Sequence, residues 1–139
     1  MRNTKWVGGQ GLVEFALVLP ILLLLVVGAL DLGRAFYLKV ALENSAREGA
    51  YYMVYNPAEG AANAFAKAKL ATQVEAEDSG IIIPAEDIEV QCVQGVTIDN
   101  TCPSGSTVTV TVRHELELVI DMFSDGPVEM INDARMLIP

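Results

Sequence analysis

The sequence predicts an α+β protein in which a long, apolar N-terminal helix leads into a second helix and a small antiparallel β-sheet. Three observations carry this expectation. Residues Leu12 to Leu30 form an apolar run broken only by Glu14. From Leu38 to Asp78, apolar residues recur at spacings of three and four, the period of a helix surface. Between Ser106 and Ile120 the period falls to two. There Val108, Val110, Val112, His114, Leu116, Leu118 and Ile120 alternate with polar residues, the pattern of a half-buried antiparallel strand.

The first element is long enough to cross a membrane. Phe15 to Leu30 carries no charge and makes about 24 Å of helix. Leu12 and Val13 bring it close to the ~30 Å hydrocarbon thickness of a bilayer. Pro20 removes one backbone donor inside the run, which predicts a kink there. Lipid-embedded helices tolerate such a proline because neighbouring groups satisfy the freed carbonyl. Asp31 ends the run. A carboxylate near the start of a membrane-length helix, as at Glu14, is costly in lipid and calls for a functional role.

Charge is placed asymmetrically around this segment. The leader before it holds Arg2 and Lys5, whereas seven of the nine basic and 17 of the 18 acidic residues lie from Asp31 onward. Positive charge before an apolar helix stays in the cytoplasm, which puts the acidic remainder outside. A strongly acidic domain lacks the basic footprint that nucleic-acid binding needs, and that class is set aside.

Three fates are open to the N-terminal segment. One is a plain signal anchor. A second is a secretory signal peptide, for which Val27-Gly28-Ala29 satisfies the small-residue rule with cleavage after Ala29; a soluble binding domain would then be released. The apolar region exceeds the usual 7–15 residues of such peptides, and Glu14 sits where they avoid charge. The third is a prepilin-type leader, cut before the apolar helix so that the helix stays in the mature protein.

The run Gly8-Gly9-Gln10-Gly11-Leu12-Val13-Glu14-Phe15-Ala16-Leu17-Val18-Leu19-Pro20 resembles the opening of TadE-like pseudopilins of the tight-adherence (type IVc, Flp-type) pilus system. The continuation through Asp31-Leu32-Gly33-Arg34-Ala35-Phe36-Tyr37 and Ala46-Arg47-Glu48-Gly49-Ala50 is similar to the rest of that family's N-terminal block. The resemblance implies a type IV pilin-like fold and a structural, non-catalytic role. It implies a prepilin peptidase that cuts after a glycine and leaves glutamate as the fifth mature residue. Counting back from Glu14 gives Gly9 as the last leader residue and Gln10 as the first mature one, with Gly8 and Gly11 as alternative cut sites. Glu14 and Phe15 would then serve subunit assembly, the carboxylate neutralising the new terminal ammonium of a neighbouring subunit. Implied partners are the membrane before assembly, other pilin subunits, the peptidase and a pilus assembly platform. The expected location is a single-pass protein of the cell membrane with its N-terminus cytoplasmic, later part of an extracellular filament. A domain of this size favours a minor pilin or pseudopilin over a main subunit that displays a domain along the shaft.

Residues 1–9 thus read as leader, 10–31 as the membrane and assembly helix, and 32–139 as an exterior α+β domain, helical over 32–79 and sheet over 86–138. Leu38, Leu42, Ala46, Gly49 and Met53 continue the first helix as a buried stripe. Asn56-Pro57 is expected to end it and start the next, with asparagine as N-cap and proline at the first helical position. The alanine-rich stretch 57–78 reads as that second helix, with Ala62, Ala66, Leu70 and Val74 on its inner face, Phe65 beside them, and Gly80 as its stop. Ile88, Val90 and Cys92 begin the sheet, and Val128 to Ile138 form its last strand.

Cys92 and Cys102 both fall in the exterior portion, where disulfides form and persist; two free thiols are the alternative. The short loop they close gives about 2–3 kcal/mol of stabilisation in the chain-entropy model. No histidine pair accompanies them as a zinc site would require. His114, the one histidine, sits in the apolar register of a strand and reads as a partly buried, hydrogen-bonded core member. Asp121, Asp125, Glu129 and Asp133 lack the close alternation and central glycine of a calcium loop. No cofactor, metal or catalytic residue is therefore assigned.

Overall fold

The computed structural model describes residues 9–56, 61–94, 97–99, 102–119 and 126–139. In chain order the elements are α1 (Gln10–Tyr55), α2 (Ala61–Asp78), a 3-10 turn (Ala85–Asp87), β1 (Ile88–Gln94), β2 (Thr97–Asp99), β3 (Thr107–Leu116) and β4 (Val128–Leu137). This is the α+β, pilin-like layout expected from the sequence. Pro57 and the acidic positions Asp121 and Asp125 lie outside the described residues, as do the leader up to Gly8 and Ile120.

α1 is one helix of 46 residues, about 69 Å long at 1.5 Å per residue. Its second half is the spine of the domain. Leu38, Leu42, Ala46, Gly49 and Met53 are all buried, as their spacing requires. Asn56 closes the helix: its backbone N–H and its side-chain amide both donate to the Tyr52 carbonyl, at 3.1 and 3.0 Å, while the expected start of the next helix at Pro57 lies outside the described residues.

α2 packs on α1 through a different face from the one its larger residues suggest. Ala64, Ala68, Thr72 and Ala76 are buried, whereas Ala66, Leu70 and Val74 of the expected face are exposed. The reason is the shape of the partner. α1 meets α2 with Ala46, Gly49 and Ala50, so the helices approach closely and only small side chains fit the seam. Thr72 is accommodated by donating its hydroxyl to the Ala68 carbonyl at 3.0 Å. α2 ends as Gly80 was expected to end it. Gly80 takes φ +74° and donates to Glu77 O at 2.8 Å, while Ile81 donates to Ala76 O at 2.9 Å, a Schellman cap with both Ala76 and Ile81 buried.

The sheet is antiparallel with strand order β2-β1-β3-β4. Three strands are long and β2 spans three residues. Ile88, Cys92, Val108, Val110, Val112 and Leu116 are buried on its inner face, with Val90, Met130, Ala134 and Met136 packed around them. The outer face is polar and carries the cross-strand pair Arg113–Glu89 at 3.2 Å. A disulfide joins Cys92 of β1 to Cys102, just before β3, with Cα atoms 5.5 Å apart.

β3 runs alongside α1 in the opposite direction. A Cβ on Gly49 would touch Val110, Leu116 lies near Leu38, and Val119 reaches Asp31. β4, antiparallel to β3, therefore rises with α1. Gly49 sits at the junction of α1, α2 and β3, where an added methyl would collide with the Thr72 hydroxyl and lie 3.1 Å from Ala68 O.

Gly33 lies in the same helix with open space around it. Gly49→Ala should destabilise the domain by about 1–3 kcal/mol through overpacking. Gly33→Ala should be neutral or stabilising by up to about 1 kcal/mol, from helix propensity alone. Denaturant unfolding of both variants checks this, and equal effects would remove the close-packing account.

Candidate assembly helix and the seam at its exit

The N-terminal half of α1 has no protein around it. From Gly11 to Leu30 every residue is exposed except Val27, which is half-buried. Leu12 is 71% exposed and Phe15 58%. A helix apolar on all sides needs an apolar medium or other helices as its surroundings. The segment qualifies by length and composition as a membrane span.

The expected processing and assembly residues fall at one end of this segment. α1 starts at Gln10, with Gly9 as the residue before it, and Val13 N–H donates to Gly9 O at 3.2 Å. Gly9 and Gln10, the expected processing positions, thus stand at the start of α1 among the described residues. Glu14 follows one turn later, with Phe15 beside it. Pro20 lies inside the helix, and the helical run continues through it to Tyr55. The disulfide is far along the chain from these positions and braces the sheet.

Beyond the apolar run, the outward face of α1 remains apolar. Leu32, Phe36 and Val40 recur every four residues and are all more than half exposed. Further on, the rings of Tyr51 and Tyr55 lie 4.2 Å apart. The hydrogen bond to Tyr55 raises the Tyr51 phenol above its ordinary value.

The seam between the two halves of α1 is built around Asp31, which sequence reasoning took only as the end of the apolar run. It is 7% exposed. Its two carboxylate oxygens both accept from the backbone N–H of Val119, each at 3.1 Å. Arg34 approaches the same carboxylate at 3.6 Å from a more exposed position, a contact of small energetic weight. The charge-assisted bond to Val119 is the stronger element. It ties the chain just after β3 to the helix at the point where the apolar run ends. Beside it opens a cleft of about 740 Å³, walled by Ala29, Leu30 and Leu38 of α1 and by Leu116 and Glu117. His114 is half-buried on the wall of this cleft rather than sealed in the core. Among the described residues, no group of three or more His, Cys, Asp or Glu side chains could hold a metal ion.

A pilin-like α+β chain with one uncovered apolar helix is thus the class the geometry defines. Residues 9–50 match the model of the TadE-like protein family. The match covers α1 from its first turn to Ala50 and none of the sheet. No curated protein matches the chain, and no solved structure does.

Asp31→Ala should leave the Val119 N–H without its acceptor and cost about 1–3 kcal/mol. Asp31→Asn, which keeps one acceptor oxygen, should recover part of that loss. Hydrogen exchange at the Val119 amide should accelerate in Asp31→Ala; an unchanged rate would show that the contact contributes nothing.

Proposed function

We propose that this protein is a pilin-like structural subunit of a tight-adherence-type pilus. A prepilin peptidase trims it between Gly9 and Gln10, and it is incorporated in the pilus, or assists its assembly, as a minor pilin or pseudopilin. The observation that carries this reading is the uncovered apolar half of α1, starting at the proposed cut site and lying inside the segment that matches the TadE-like family. Before assembly the helix spans the cell membrane, with the basic leader in the cytoplasm and the acidic domain outside. During assembly the same surface exchanges lipid for the helices of neighbouring subunits.

Glu14 gives that exchange a register. Trimming creates an ammonium on Gln10, and the Glu14 carboxylate of an adjoining subunit neutralises it. In a low-dielectric bundle an unpaired charge is far more costly than in water, so subunits settle where the two groups meet. Pro20 places a bend in the packed helix. The domain above is held outward on the second half of α1 as the displayed part.

Release of a soluble domain by cleavage after Ala29 is the competing reading. The continuity of α1 through Val27, Gly28 and Ala29 into the stretch that carries the domain favours retention.

The mature N-terminus tests the proposal. Intact-mass measurement and N-terminal sequencing should give Gln10 as the first residue; Leu30 in that place would overturn it. A separate substitution tests the charge pairing. Glu14→Ala should leave trimming intact and reduce, by severalfold, the subunit recovered with sheared filaments. Undiminished recovery would remove the pairing mechanism.

A further inference from the structure

We infer that the chain just after β3, at Val119, is a second, non-spanning membrane contact: before assembly, it rests in the phospholipid headgroup layer beside α1. This inference rests on the membrane-spanning reading of α1 given above.

Length fixes the height of the seam. Residues 12–30 make about 28 Å of helix against a hydrocarbon thickness of ~30 Å, so none of the run is spare. Leu30 must therefore lie at the hydrocarbon boundary. The headgroup layer occupies the next several ångströms of α1 on the domain's side, roughly 5–7 Å per leaflet.

The fold then brings the chain just after β3 down to that height. Helix side chains lean toward the helix N-terminus, which here is toward the bilayer. The Asp31 carboxylate accordingly sits at or below the level of its own Cα, and it holds the Val119 N–H at 3.1 Å. The cleft beside this contact is lined on α1 from Leu38 down to Ala29 and on the other side by Leu116 and Glu117, so the chain descends along this stretch of helix between the end of β3 and Val119. The Asp31–Val119 contact thus puts the chain just after β3 level with the boundary.

The surface at this level suits lipid. Val119 is 66% exposed although its backbone is pinned, and Leu32, the residue after Asp31 on α1, is 59% exposed. An apolar side chain held open in this way has the boundary between headgroups and acyl chains as its partner. Arg34, with its side chain 54% exposed, is placed to meet a lipid phosphate, while the exposed Glu117 suits a headgroup ammonium. That combination fits a zwitterionic phospholipid such as phosphatidylethanolamine and disfavours a densely anionic surface.

Depth-dependent fluorescence quenching of the full chain tests the inference. Trp6, the one tryptophan, is replaced by Phe. Single tryptophans are then introduced as Leu24→Trp in the apolar run, Val119→Trp at the seam and Leu137→Trp at the far end of β4. Each chain is reconstituted at low density in phosphatidylethanolamine vesicles, with and without bromine on the acyl chains near the headgroup. Leu24→Trp and Val119→Trp should both lose emission to bromine, and Leu137→Trp should not. Quenching of Leu24→Trp without that of Val119→Trp overturns the docking and leaves the membrane reading standing; failure to quench Leu24→Trp overturns the membrane reading itself. A blue-shifted but unquenched Val119→Trp assigns the surface to a neighbouring chain and overturns the lipid assignment. Adding Asp31→Ala to Val119→Trp should reduce its quenching and leave Leu24→Trp unaffected. Undiminished quenching would remove Asp31 from the role of holding the seam at the bilayer.

Discussion

One helix has to satisfy two solvents. The first half of α1 is apolar on every side, and the second half presents a narrow buried stripe with charged residues around it. Nothing in the helical backbone marks the change, which occurs between Leu30 and Asp31 within an unbroken hydrogen-bonded ladder. The rest of the molecule follows from that division. The domain can attach only to the second half, and the first half must find its surroundings in a lipid phase or in other helices. Asp31 stands at the division and turns it into a structural joint. A carboxylate too costly for the hydrocarbon is placed where it can accept a backbone N–H from the sheet.

The attachment itself depends on small residues. Gly49, Ala46 and Ala50 of α1 against Ala64, Ala68 and Thr72 of α2 let the two helices close on each other. β3 then completes the junction from the third side through Val110. Such packing has little tolerance for added volume, because a close-packed interior has no slack to absorb a methyl group. The exposed Leu70 and Val74 are the counterpart of this choice: residues too large for the seam are left outside.

What could be read from the sequence divides along physical lines. The apolar run, the buried stripe of α1, the alternation of β3 and the Gly80 stop are local patterns, and each was legible because period and residue type determine it. The disulfide was legible because the chain has only two cysteines. The face of α2 was not, because hydropathy favours Leu and Val for a core position while the fit is decided by the partner helix. The part Asn56 plays at the end of α1 was not legible for a similar reason: its amide reaches Tyr52 O only once the helix has ended there. The Asp31–Val119 contact spans 88 residues, and no signal in either segment announces it. The processing and assembly positions rest on resemblance, since a glycine pair and a lone glutamate acquire meaning only beside a membrane-length helix.

The alignment of the strands with α1 has a consequence for the outer edge of β4. A long terminal strand offers an unpaired ladder to any other strand that meets it. Two copies joining these edges by a two-fold rotation across the strands would have to point their helices in opposite directions. In a bilayer that every copy enters with the same polarity, that encounter is forbidden by topology before any side chain is consulted. On the membrane-spanning reading, the same segment that would hold the chain in lipid also bars this antiparallel joining of its sheet edges.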